Sequence, residues 1–157
     1  MSEKKYLILA EAFSHDVHYG KTLRGVMRYR RESVVAILDT QRAGESDDGV
    51  PIVATVDEGL EHGPDTALVG VVTQGGRFPG DWQELLKSCV AHGLDLENGL
   101  HVRLHDIPGL PELAREHGVE PRLAEAALAQ YRRAQDAGLG ALDYSAVFRV
   151  AGPTEAR

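Results

Sequence analysis

Cysteine is almost absent. Cys89 stands alone among 157 residues, which excludes an intramolecular disulfide framework and a cysteine-rich zinc site. Long apolar runs are missing too; the longest are strand-sized, so no membrane span is expected. The opening MSEKKYLILAEA has neither a signal-length apolar core nor a small-residue cleavage site, and a cytoplasmic location is expected. Positive charge is in short supply. The 17 Lys+Arg face 24 Asp+Glu, a formal net charge of −7, so nucleic acid is not an expected partner, because phosphate binding needs concentrated positive charge. The one basic cluster, Arg28-Tyr29-Arg30-Arg31, reads as a solvated helix end.

What is present suits one compact domain with an appendage, long enough to bury a sizeable core. The acidity is unevenly spread. Residues 1–118 hold 12 Lys+Arg and 19 Asp+Glu, whereas residues 119–157 hold five of each. Two unlike parts are therefore expected: a domain over 1–118 and an extension over 119–157.

The first part alternates apolar runs with amphipathic stretches. Residues 6–10, YLILA, lack helical periodicity and read as a strand buried on both faces. A polar loop leads into Gly20-Lys21-Thr22 and a helix ending near Tyr29. Residues 33–39 are a second, β-branched strand that ends on Asp39, and 43–49 read as a solvated loop. Residues 51–54 form a third strand, Thr55 caps a brief helix, and 66–72 form a fourth strand. Asp81 is placed to cap a helix carrying Trp82, Leu85, Leu86, Cys89 and Val90 on one face. A weaker strand or loop follows over 94–104, then a helix from Leu110 closed by Gly118. Strands and helices that alternate in this way predict an α/β fold, a Rossmann-like doubly wound parallel sheet. In the second part, Pro121 to Ala137 reads as a helix with Leu123, Ala127, Leu128 and Tyr131 along one face. Asp143 or Ser145 caps a last short turn through Val150.

In open parallel sheets ligands lie beyond the carboxyl ends of the strands. The first loop lacks the GxGxxG fingerprint. It resembles a degenerate P-loop, with His15 where GxxxxGK[ST] needs glycine. Lys21 and Thr22, with the helix N-terminal N–H groups, form a candidate anion site; the same residues also read as an ordinary first turn. Asp39, 19 residues after Gly20, is placed either to accept a ribose hydroxyl or simply to end a strand in a turn. Gly75, Gly76 and Arg77 supply permissive backbone and a cation at the same edge, or merely a glycine turn. NAD(P) or another nucleotide is the cofactor class this layout suggests, its identity open. His15, Asp16 and His18, like His101, His105 and Asp106, carry metal-like spacing, but surface histidines are the expected reading and no metal is assigned. Cys89 lies on an apolar helix face and is expected in the core. No catalytic residue is assigned, and whether the chain is an enzyme stays open.

Several small motifs occur in a shared order: Tyr6 to Glu11, Lys21-Thr22 with Gly25 to Tyr29, Val34 to Asp39, Pro51 to Ala54, Gly63 to Thr66, Gly75 to Pro79 with Trp82, Gly93 to Asp95, and Gly99 to His101. Together they resemble the Rossmann-like N-terminal domain of a bacterial and archaeal family. That family joins the domain to a C-terminal P-loop domain and includes D-glutamate (D-amino-acid) N-acetyltransferases. The resemblance spans residues 5–118 and implies the fold. The family's P-loop domain has no counterpart here, so a separate P-loop partner is one expectation. Residues 131–147 are similar instead to the C-terminal end of 3-hydroxyisobutyrate-type β-hydroxyacid dehydrogenases, which finishes a helical domain packed across a dimer. An extension with an apolar helix face must pack on the sheet layer or on a second copy, and a homodimer through the C-terminal helix is expected. The leading expectation is a nucleotide- or small-anion-binding module, non-catalytic alone. The alternatives are an NAD(P)-dependent oxidoreductase-like protein and an N-acetyltransferase-related protein acting with its partner.

Overall fold

The computed structural model describes residues 4–76, 78, 82–100, 102, 104–118 and 122–139. The chain divides into two compact units, Met1–Gly118 and Val119–Arg157. In chain order the first unit contains β1 (Tyr6–Leu9), α1 (Lys21–Tyr29), β2 (Val34–Leu38), β3 (Ser46–Asp47), β4 (Val50–Val53) and α2 (Val56–Leu60). It continues with β5 (Thr66–Val69), α3 (Trp82–Ala91), β6 (Asp95–Glu97) and α4 (Leu110–Glu116).

The six strands lie in the order β3-β4-β2-β1-β5-β6, parallel except for the antiparallel pair β3–β4. β1 is central because every residue of Leu7-Ile8-Leu9 is apolar and fully buried; such a strand is stable only between two covered faces. Successive residues point to opposite faces. A methyl group on Gly59 of α2 would meet Leu7 Cδ1 at 2.9 Å, whereas one on Gly70 would meet Ile8 Cγ2 at 2.3 Å and Leu23 Cβ of α1 at 3.3 Å. α1 and α2 therefore cover opposite faces. The chain runs outward through β1, β2 and β4, then returns to lay β5 on the other side of β1. That reversal is the topological switch point of a doubly wound α/β fold.

Local chemistry explains the element ends. Thr55 caps α2, its Oγ1 accepting from Glu58 N–H at 3.2 Å while Glu58 Oε2 accepts from Ala54 N–H at 2.8 Å; this is a variant of the capping box in which the returning carboxylate reaches the residue before the cap. α3 buries Trp82, Leu86, Cys89 and Val90. β5 stops at Val69, shorter than the strand expected over 66–72, because Val72 N–H leaves the ladder for Tyr19 C=O at 2.7 Å. The stretch 43–49 is not simply a solvated loop: Ser46 pairs with Pro51 and Asp47 with Val50 around Asp48-Gly49, whose φ angles are +49° and +75°. Two central residues with positive φ make the tight hairpin turn that Asp-Gly favours.

In the second unit α5 spans Arg122–Asp136. It ends as Gly138 N–H donates to Gln135 C=O and Leu139 N–H to Ala134 C=O, each at 2.9 Å, with Gly138 at φ +76°, a left-handed helix stop. The expected face of Leu123, Ala127 and Leu128, the caps Asp81, Asp143 and Ser145, and Pro121 lie outside the described side chains or residues. Among the described residues no helix is long and apolar enough to cross a membrane.

Candidate functional site

Three loops meet at the carboxyl edge of the sheet: residues 10–20 after β1, 39–45 after β2, and 70–76 after β5. Backbone hydrogen bonds lock the first to the third. Leu23 N–H donates to Gly70 C=O at 2.8 Å, and Val72 N–H to Tyr19 C=O. The Leu23 bond removes one donor from the open end of α1, so an anion there has the N–H groups of Lys21 and Thr22 to bind. Lys21 is exposed and Thr22 half-buried. Gly20 precedes the helix without a side-chain cap. The fold thus brings Lys21 and Thr22 beside the loop that holds Gly75 and Gly76. Those two glycines have φ of +72° and +64°, a turn that other residues enter only with strain. Arg77 lies outside the described residues.

Asp39 is a different case. It is fully buried, and both of its oxygens already have donors. Oδ1 accepts from Ala12 N–H and from Gln41 N–H, each at 3.1 Å. Oδ2 accepts from Ser14 N–H at 3.1 Å. The carboxylate therefore holds the first loop onto the end of β2 and turns no free oxygen toward solvent, so the ribose-facing geometry does not form. Ala12 sits at φ +63°, a conformation costing a non-glycine residue about 1 kcal/mol, and the bond to Asp39 helps to keep it there.

Two cations and a second carboxylate reinforce the junction. Arg24 of α1 donates from Nη1 to Asp47 Oδ2 and from Nη2 to Ser14 C=O, both at 2.8 Å. Arg42 donates from Nη1 to Ser14 Oγ at 3.2 Å and holds Glu45 through Nη2 at 2.7 Å. Glu11 accepts from the N–H of Thr40 at 2.8 Å and also from its hydroxyl. Ser14, buried among these groups, is the hub. Neither the arginines nor Ser14 were legible as site residues: they lie in unrelated sequence contexts and only the fold unites them.

Toward the rim, Asp16 accepts from the N–H groups of Tyr19 and His18, each at 2.7 Å. The Tyr19 bond above all, then the His18 bond and the nearby His15 and His18 side chains, hold its carboxyl below the ordinary value of 3.8, against a smaller opposing effect of burial. Phe13 and His18 each pack against the Tyr19 ring, at centroid distances of 5.2 and 5.3 Å. Among the described residues no three His, Cys, Asp or Glu side chains group as metal ligands; His101 and the His105 side chain lie outside them. Burial pushes the Cys89 thiol up to about 12, unlike a nucleophile.

A family model for a Rossmann-like domain of unknown function, DUF1611_N, matches residues 38–122. The chain belongs to that family. The chain is also similar to a crystallised DUF1611 family protein from Anabaena variabilis ATCC 29413. The two are 32% identical with a TM-score of 0.64, over 75% of this chain and 34% of that one. A D-glutamate N-acetyltransferase of Tritonibacter scottomollicae is 34% identical over 64 residues, 41% of this chain. The chain spans about a fifth of the length of that curated relative (19%).

Proposed function

We propose that this domain binds a nucleotide or small anion at the carboxyl edge of its sheet, near Lys21, Thr22, Gly75, Gly76 and Arg77, and does no chemistry alone. The observation that carries this reading is the meeting of three loops at the switch point, where doubly wound sheets accept ligands, with the N-terminus of α1 and its Lys21 and Thr22 N–H groups at that edge. Asp39 serves the site by shaping its first loop. The helix α5, Arg122–Asp136, joins two copies into a homodimer, a reading supported by the likeness of this part of the chain to a dehydrogenase tail. Isothermal titration of the full chain with NAD, NADP, ATP and acetyl-CoA tests the binding proposal. Saturable binding of at least one is expected, weakened by Lys21→Ala; no heat from any of the four overturns it.

The N-acetyltransferase among the relatives supports a second reading, in which the domain works with a separate P-loop partner to acylate a D-amino acid. Acetyl-CoA binding that appears only when the partner is added would favour it. Turnover of a hydroxyacid with bound NADP would instead favour the oxidoreductase-like alternative.

A further inference from the structure

Two guanidinium groups converge on one buried serine at the β2 side of this edge. Arg24 reaches the Ser14 carbonyl and Arg42 the Ser14 hydroxyl, although the first comes from a helix and the second from a turn. Their remaining donors are held by carboxylates, Asp47 on Arg24 and Glu45 on Arg42. The Arg42–Glu45 pair is local, three residues apart: one Glu45 oxygen accepts from Nε and Nη2 of Arg42, at 2.8 and 2.7 Å, and the Glu45 side chain is 57% exposed. An ion pair with one exposed partner contributes little net stability. A phosphate monoester brings two negative charges and three terminal oxygens, so it can accept from two guanidinium groups at once, as the one Glu45 carboxylate on Arg42 does not.

The same loop discourages a neutral ribose. In a dinucleotide-binding sheet, the acid at the end of the second strand accepts the ribose hydroxyl, or an arginine nearby receives a phosphate in its place. Here Asp39 is closed off by three backbone N–H groups, while Arg42 stands three residues further on. We propose that Arg42 and Arg24 form a subsite for a phosphate monoester on the ligand, so that a nucleotide bound at this edge is preferred when its ribose carries a 2′-phosphate. Glu45 holds Arg42 in place until that phosphate displaces it. This proposal rests on the nucleotide-binding reading above.

The test is titration of the full chain with NADP and NAD, for wild type, Arg42→Ala and Glu45→Gln. NADP is expected to bind about tenfold tighter than NAD. Arg42→Ala should equalise the two, and Glu45→Gln, at an exposed position, should tighten NADP severalfold while leaving NAD unchanged. A merely structural pair would not give that gain. Equal binding of NADP and NAD by the wild type overturns the phosphate subsite and leaves the nucleotide reading standing. A preference for NADP that survives Arg42→Ala, or a Glu45→Gln variant with unchanged or weaker NADP binding, also overturns it. Binding of neither NADP nor NAD, with saturable binding of ATP or acetyl-CoA, overturns the subsite alone; silence toward all four overturns both.

Discussion

Replacing Asp39 separates two roles that an acid at the end of the second strand can have. Its carboxylate accepts from Ala12, Gln41 and Ser14, all through backbone N–H groups at 3.1 Å. Asparagine keeps one carbonyl oxygen and puts an amide donor in place of the other. Whichever way the amide turns, at least one N–H group then faces another donor. If the oxygen stays on Ala12 and Gln41, the stranded donor is that of Ser14, a residue with no exposed surface. One unsatisfied buried donor costs about 1–3 kcal/mol. Alanine removes all three acceptor contacts and leaves a small void, so Asp39→Ala should cost about 4 kcal/mol. Urea unfolding followed by circular dichroism measures both. The expected order is wild type, Asp39→Asn, then Asp39→Ala, with Asp39→Asn about 2 kcal/mol below wild type. A ribose-contacting aspartate would behave oppositely, losing ligand affinity with the unfolding midpoint unmoved. Stability of Asp39→Asn within about 0.5 kcal/mol of wild type would refute the loop-holding role.

Gly70→Ala should be severely destabilising, by about 3 kcal/mol or more, because its methyl would lie 2.3 Å from Ile8 Cγ2 and the residue is pinned by bonds to Leu9 C=O and Leu23 N–H. A thermal midpoint unchanged from wild type contradicts this. Ala12→Gly should be neutral to stabilising by about 0.5 kcal/mol, since glycine accepts the +63° φ without strain; a clear loss in chemical denaturation counts against it. Asp16 has its folded pKa depressed below 3.8. Its contribution is therefore complete above the unfolded pKa and lost as pH falls through the lower folded value. Protection of the His18 and Tyr19 amides, taken relative to the intrinsic exchange rate at each pH, should fall only in that acid range; Asp16→Asn should remove the titration, and an unchanged profile argues against the assignment. Ending the chain after Gly118 should convert a dimer to monomers in light scattering, and a persistent dimer excludes the proposed role of the extension.

The framework of the fold was legible because its signals are local. The unbroken apolar run at Leu7-Ile8-Leu9 announces a strand covered on both faces, and Thr55 at the head of α2 announces a cap. The hairpin at Asp48-Gly49 was equally local, a turn pair that a loop reading of 43–49 passes over. The site was legible only as an address. The candidates Lys21, Thr22, Gly75 and Gly76 fall in loops at the carboxyl edge, but what Asp39 does there depends on Ala12 and Ser14, 27 and 25 positions away. No periodicity encodes that approach. Arg24 and Arg42 illustrate the same point: one reads as a helix-surface residue and the other as a turn residue, until Ser14 is seen between them.

The missing glycine fingerprint acquires a physical meaning from Asp39. In dinucleotide-binding sheets, the glycines let backbone N–H groups of the first loop approach a pyrophosphate. Here the N–H groups of Ala12 and Ser14 point inward to a carboxylate that the chain itself supplies. The loop carries its own anion in its interior, so it needs no pyrophosphate to satisfy those donors and has none of them to offer one. A ligand's negative charge must then be met elsewhere on the edge. Among the described residues, the positions that remain include the first turn of α1, the glycine turn at Gly75-Gly76 and the two arginines flanking Ser14, whose present carboxylate partners lie nearer the surface than Asp39 does. An anionic ligand can displace Glu45 from Arg42 without unfolding anything; it cannot displace Asp39 without opening the loop. That asymmetry is why the proposed phosphate subsite falls on the arginines, which also brace Ser14, and leaves the buried aspartate to architecture.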